Sequence, residues 1–157
     1  MATYIKDDTL RSVVYGHQIV KTAVAFPQTA TANLFTVSVG NVMVTSLCAV
    51  LTTATTTDPQ ITLGTAPTTG TAETNGLATT TALTSQEVGT WLGVLETTTT
   101  DKPGALVVGA HAGNVIFPAV SFAAAPGYIT ITTAASQAGA ATWYLTYVPL
   151  DNGAYVS

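Results

Sequence analysis

The stretch LFTVSVGNVMVTSLCAVL, residues 34–51, decides the fold of this chain. Apolar and polar residues alternate over its first six positions, as in a strand with one buried face, and Phe35, Val37 and Val39 share one side. A Gly40-Asn41 pair follows, and both residues tolerate positive φ in tight turns. Residues 42–51 are apolar on both sides, which is typical of a central, covered strand. The stretch therefore predicts a β-hairpin with its second arm inside a sheet.

Further strand patterns lie on both sides of this stretch. They cover residues 12–25, 88–95, 128–133 and 142–148, and we expect the last two to pair as a hairpin. Thr makes up about a fifth of the chain, and β-branched residues favour strands over helices. No helix of three turns is convincing. The sequence predicts an all-β fold, an antiparallel β-sandwich or barrel (jelly-roll-like) of about eight to ten short strands.

The length of 157 residues suits one domain. Residues 1–10 hold charges without sustained periodicity and are interpreted as an extended N-terminal arm. Residues 11–150 form the predicted β-sandwich domain, and residues 151–157 the C-terminal tail.

Charge is scarce and unevenly placed. Four Lys and Arg and eight Asp and Glu make up 8% of the chain, whereas a typical soluble domain is about a quarter charged. Residues 22–57 and 103–150 contain no charged residue. A surface of this kind is covered by Thr, Ser, Ala, Gly and Asn, or by other protein. The composition therefore favours a subunit of an assembly over a free enzyme.

Several other classes are disfavoured. Four basic residues are too few to neutralise a nucleic-acid backbone. Gly and Pro interrupt the uncharged stretch at residues 103–150 too often for a membrane-spanning helix. The single cysteine, Cys48, cannot form an intrachain disulfide and is interpreted as a small buried hydrophobe. The polar, acidic N-terminus is unlike a signal peptide, so we expect assembly in a cytosol.

No catalytic, cofactor-binding or metal-binding residue is predicted. The two histidines, His17 and His111, stand alone, and a zinc site needs several ligands at short spacing. Glu87 and Glu96 lie at opposite ends of a predicted strand rather than facing one cleft. We therefore expect that the chain is not an enzyme.

The large aromatic residues suit either a core or a binding surface. Trp143, Leu145 and Tyr147 share one strand face, so we assign Trp143 to the core. Tyr144 lies on the other face and is the better interface candidate. Trp91 could anchor an interface or form a platform for a sugar, provided that it is not fully buried.

Two segments resemble small virion structural proteins of tailed phages. Residues 34–54 are similar to a hairpin of those proteins, and residues 142–156 to their C-terminal strand and closing turn. The second segment carries the pattern W-x-L-x-Y-x-P-L-D-x-G, which begins at Trp143 and ends at Gly153. Together the two segments cover about a quarter of the chain.

This resemblance implies a capsid decoration protein or a related minor virion protein. It would be assembled in the host cytoplasm, lie on the capsid surface as a homo-oligomer, most simply a trimer, and clamp the major capsid protein without any cofactor, nucleic acid or membrane. The expected partner-contacting residues are Tyr4, Ile5, Lys6, Tyr144 and Tyr155. The alternative is a tail- or fibre-associated sandwich that binds host-surface glycan.

Overall fold

Strands make up nearly all of the regular structure. The computed structural model describes residues 12, 14–55, 60–95, 105–109, 121–135 and 138–157. Apart from one helical turn that includes Ser12, Val14 and Tyr15, the regular elements of these residues are eleven strands. They are β1 (His17–Ala25), β2 (Thr31–Ser38), β3 (Val42–Thr53), β4 (Gln60–Pro67), β5 (Glu73–Ala82), β6 (Trp91–Leu95), β7 (Ala105–Gly109), β8 (Phe122–Ala124), β9 (Gly127–Thr133), β10 (Ala140–Pro149) and β11 (Tyr155–Val156).

The strands form two antiparallel sheets that pack face to face. Sheet A has the order β1-β10-β3-β6-β7, with β8 also paired to β3, and sheet B has the order β11-β2-β9-β4-β5. A single parallel pair, Thr79 with Ala105, joins β5 to β7 on one side. On the other side the described residues form no ladder between β1 and sheet B. The predicted sandwich is therefore confirmed, and the barrel alternative does not describe the fold.

Neither predicted hairpin forms. β2 pairs with β9 and β11, whereas β3 pairs with β10, β6 and β8. The 39–41 connection is thus a corner between the sheets, and the left-handed residue there is Val39, with φ of 70°. β9 and β10 also lie in opposite sheets. Each strand of these two pairs turns an apolar face inward, so placing them in opposite sheets lets those faces bury one another.

The first strand begins later than predicted. The predicted strand covered residues 12–25, but β1 starts at His17 because the Gly16 N–H bonds the Ser12 carbonyl at 3.1 Å and closes a helical turn. Residues 151–157, predicted as a tail, contain β11, and Val156 is buried beside β2. The predicted arm, residues 1–10, lies outside the described residues.

The core lies between the two sheets, and the alternation of β10 is as predicted. Trp143, Leu145 and Tyr147 are buried there. Phe35, Ile129 and Ile131 of sheet B are also buried in this core. Leu34, predicted on the opposite side from Phe35, is buried as well, because the register of β2 shifts between Asn33 and Phe35. A bulge of this kind lets neighbouring residues turn toward one interior.

A carboxylate joins the corner after β2 to the turn after β10. One oxygen of Asp151 accepts hydrogen bonds from the backbone N–H of Asn41, at 2.7 Å, and from its side-chain amide, at 2.8 Å. In return the Asn41 carbonyl accepts from the N–H groups of Leu150 and Asp151. A Cβ on Gly40 would lie 2.5 Å from the Asp151 Cβ, so only glycine leaves room for this contact. The Leu-Asp-x-Gly part of the sequence pattern thus has a structural role.

We expect Asp151→Ala to lower the free energy of unfolding by about 1–3 kcal/mol, because two charge-assisted hydrogen bonds are lost. Chemical denaturation followed by far-ultraviolet circular dichroism measures the change. Glu73→Ala removes an exposed carboxylate at the start of β5 and serves as the control, with little expected effect. Equal stability of the two variants would contradict a joining role for Asp151.

Candidate interaction surfaces

The strands are almost free of charge. Among the eleven strands of the described residues, only β1, through Lys21, and β5, through Glu73, contain a charged residue, so nine contain none. The other charged residues within the described part of the chain, Glu87 and Asp151, lie in connections. The outer faces of both sheets therefore present neutral side chains over most of their width.

The described residues gather no group of three potential metal ligands. His17 packs against the ring of Tyr147, with centroids 5.4 Å apart, in a structural contact. Glu87 lies in the connection between β5 and β6. His111 and Glu96 lie outside the described residues. The candidate sites of the described residues are therefore surfaces that could bind a partner or a neutral ligand.

The outer face of sheet A carries a pair of stacked aromatic rings. Trp91 of β6 and Tyr144 of β10 have ring centroids 5.9 Å apart and an interplanar angle of 28°. β3 runs between these strands, where Cys48 pairs with Tyr144 and with Gly93. Because Cys48 is small and Gly93 has no side chain, the two large rings can lean across β3 and meet. Both rings are partly exposed. Trp91 is therefore not fully buried, which is the condition that the glycan-binding alternative set.

A groove opens on the same face, beside the start of β1. It has a volume of about 350 Å³, and the described residues that line it are Tyr15, Gly16, Gln18 and Thr146. Gln18 and Thr146 are register partners on β1 and β10, and the Tyr15 side chain is 73% exposed. Thr146 lies two residues from Tyr144 on the same side of β10, so the groove leads toward the stacked rings.

A second surface lies at the corner where β2 ends. Val39 is 73% exposed, Leu150 52% and Tyr155 48%. We call these three residues the corner patch. They are neighbours because Tyr155 pairs with Ser38 and Leu150 bonds to Asn41. The corner patch is apolar and is held in place by the Asp151 contact with Asn41.

Val39 carries backbone strain. A β-branched residue with a φ of 70° is an outlier, and such strain amounts to about 1–3 kcal/mol. Strain of this kind persists where function or surrounding structure maintains it. The Val39 side chain is exposed and contributes little to the core, so it is available for contact with a partner.

The residues predicted to contact partners do not form one site. Tyr144 lies on the outer face of sheet A, whereas Tyr155 lies on that of sheet B, opposite the buried side of β11. Tyr4, Ile5 and Lys6 lie outside the described residues. The sequence analysis did not predict that Tyr15, Val39 and Leu150 lie exposed at candidate binding surfaces. Leu150 belongs to the quoted sequence pattern and could have been noticed, but Val39 was placed on the buried face by the alternation.

The Cys48 side chain is partly buried in the middle of sheet A. Burial raises the pKa of its thiol, and a hydrogen bond with Ser46 opposes that rise. A thiol with a raised pKa holds less thiolate near neutral pH, and the thiolate is the reactive form. The sequence analysis predicted a small buried hydrophobe, whereas the Cys48 side chain is only partly buried.

We expect iodoacetamide to alkylate Cys48 at least about tenfold more slowly in the folded protein than in the urea-unfolded chain at about pH 8, because burial limits both thiolate and access. Intact-mass spectrometry measures the rate at this single cysteine. Tyr144→Ala uncovers Cys48 and should speed alkylation, whereas Tyr155→Ala on the other sheet should not. Equal rates for the folded and unfolded chains would contradict the assigned environment.

Comparison with known protein families, with curated proteins and with solved structures finds no match to this chain. Within the described residues, no helix has the length and apolar character needed to cross a bilayer.

Proposed function

We propose that this protein is a structural component of a tailed-phage virion, a decoration protein that stabilises the capsid shell. Copies would assemble as a symmetric oligomer, most simply a trimer, and clamp neighbouring subunits of the major capsid protein. The observation that carries this proposal is that nine of the eleven strands in the described part of the chain contain no charged residue. A neutral surface suits contact with a neighbour, because charged residues are depleted at the centre of protein interfaces.

The edge strand β1 is poorly suited to pairing with a strand of another molecule. Contacts with partners are therefore expected on the sheet faces and corners. β1 is an edge strand, and its Lys21 points inward, with Nζ 6.0 Å from the centre of the Phe35 ring. Its register also shifts between Lys21 and Val24. Inward charges and bulges are devices that prevent strand addition at an exposed edge.

The corner patch is the proposed protein-binding surface within the described residues. Exposed tyrosine and aliphatic side chains at a rigid corner are suitable anchors for an interface, where aromatic residues are enriched. Even a modest contact becomes effective when it is repeated over many copies on one shell. The arm, residues 1–10, is the second proposed contact, because it places Tyr4 and Ile5 among charges and lacks a core pattern.

The most direct test compares the protein in solution with its position on particles. Light scattering gives the size of the purified protein, and quantitative mass spectrometry with electron microscopy of purified virions gives its copy number and location. We expect an oligomer in solution and a copy number that follows capsid symmetry. A stable monomer that is missing from particles would overturn the proposal.

Deleting residues 1–10 should weaken rebinding to particles that lack the protein, with the sandwich still folded. The physical reason is that the arm is proposed to contact a neighbour, while its sequence lacks the periodicity of a core strand. Co-sedimentation with particles measures binding, and circular dichroism checks folding. The double substitution Tyr4→Ser and Ile5→Ser should reproduce the loss, whereas unchanged occupancy after deletion would exclude the arm.

Val39→Gly should reduce particle binding several-fold while changing the free energy of unfolding by less than about 1 kcal/mol, because relief of strain offsets the added chain entropy. Tyr155→Ser should weaken binding as well. Val88→Ser is the matched control, since Val88 is 55% exposed and lies beyond the opposite end of β3. If all three variants bind equally well, the corner patch is not the interface.

A further inference from the structure

The outer face of sheet A places aromatic rings and neutral polar groups in one line. At one end Tyr15 borders the groove that contains Gln18 and Thr146. At the other end Tyr144 stacks on Trp91. Thr146 and Tyr144 are about 7 Å apart along β10, from the rise of a strand. We call these five residues the aromatic strip.

The rings of the strip are positioned before any ligand arrives. Trp91 and Tyr144 support each other at 5.9 Å, and both stand on paired strands of a sheet. Tyr15 belongs to the helical turn that the hydrogen bond from the Gly16 N–H to the Ser12 carbonyl closes. A preorganised site loses little conformational entropy on binding.

The polar groups of the strip are an amide and a hydroxyl. Gln18 can donate and accept hydrogen bonds, and so can Thr146. β3, β6 and β10 contain no charged residue, and the Lys21 side chain of β1 is directed toward Phe35 in the interior. Nothing described on this face would compensate a carboxylate or phosphate on a ligand. The strip therefore suits a neutral ligand with apolar faces and many hydroxyl groups.

The stacked rings on this face are a better match for a flat ligand than for a single projecting side chain. Trp91 and Tyr144 are both partly buried, in part against each other, so they offer a platform rather than projecting anchors. The groove beside them is a recess of about 350 Å³, at the small end of ligand sites. Sugar rings present flat apolar faces to aromatic side chains and hydroxyl groups to amides.

We propose that the aromatic strip binds a neutral oligosaccharide, whose rings lie along β10 between Tyr15 and Trp91. The site depends only on the outer face of sheet A. It therefore does not rest on the assignment to a capsid, and it can act while the corner patch and the arm are engaged elsewhere.

Tryptophan fluorescence provides a local readout. The chain has two tryptophans, and Trp143 is fully buried in the core, so ligand-dependent changes in emission report on Trp91. The full chain is titrated with short neutral gluco-, manno- and galacto-oligosaccharides and with sialylated and uronic-acid oligosaccharides. Calorimetry provides the affinity independently. We expect saturable binding of at least one neutral series and none of the acidic ones.

Variants locate the site. Trp91→Ala and Tyr15→Ala should each weaken binding by about tenfold or more, as for buried aromatic contacts in other complexes. Tyr15 is 73% exposed, so its substitution leaves folding intact even if Trp91→Ala does not. Tyr155→Ala, on the opposite sheet, is the matched control and should bind as the unmodified protein does.

Three results of the binding experiments would overturn the proposal. They are the absence of saturable binding to every neutral series, equal binding of the acidic series, and unchanged affinity in Tyr15→Ala. Burial of Trp91 in purified particles, measured as lost quenching by acrylamide, would also overturn it and would identify the face as a protein interface. If the protein failed only to bind particles, the proposed virion role would be contradicted, whereas the proposed sugar site would not.

Discussion

The antiparallel pairing of β10 with β3 is the constraint on which both faces of sheet A depend. It runs from Ala140 opposite Thr53 to Pro149 opposite Val42, with two register shifts. On the inner side it places Trp143 beside Ala49 and Leu145 beside Leu47, all buried. On the outer side the same register places Tyr144 beside Cys48. A shift of one residue would exchange the two faces, so the core and the aromatic strip are specified together.

The corner after β2 depends on a different interaction, the contact between Asp151 and Asn41. The chain must leave sheet B at Ser38 and enter sheet A at Val42 within three residues. Gly40 gives Asp151 the space to approach, and the left-handed conformation is taken up by Val39. The hydrogen bonds to Asn41 hold that strained conformation in place, and the side chain of Val39 is left exposed as a result.

The local sequence pattern predicted which residues are buried in the core better than it predicted which strands pair. Alternation identified Trp143, Leu145 and Tyr147 correctly, because side-chain direction in a strand is a local property. The hairpins failed because strand pairing is decided by non-local burial, which a sequence window does not contain. β11 has only two residues and no period to detect. The stacking of Trp91 on Tyr144 could not be predicted from the sequence either, because it depends on how β6 and β10 each pair with β3.

The position of the two candidate surfaces follows from the architecture. A sandwich has two outer faces separated by the thickness of both sheets, and packed sheets lie about 10 Å apart. The aromatic strip lies on the outer face of sheet A, whereas Tyr155 of the corner patch is on that of sheet B. Because nine of the eleven strands of the described residues lack a charged residue, a neutral molecule that covers either surface buries few charges. In the proposed assembly, a subunit of this design would attach through one surface and leave the other open, without the charged surface that a free monomer needs.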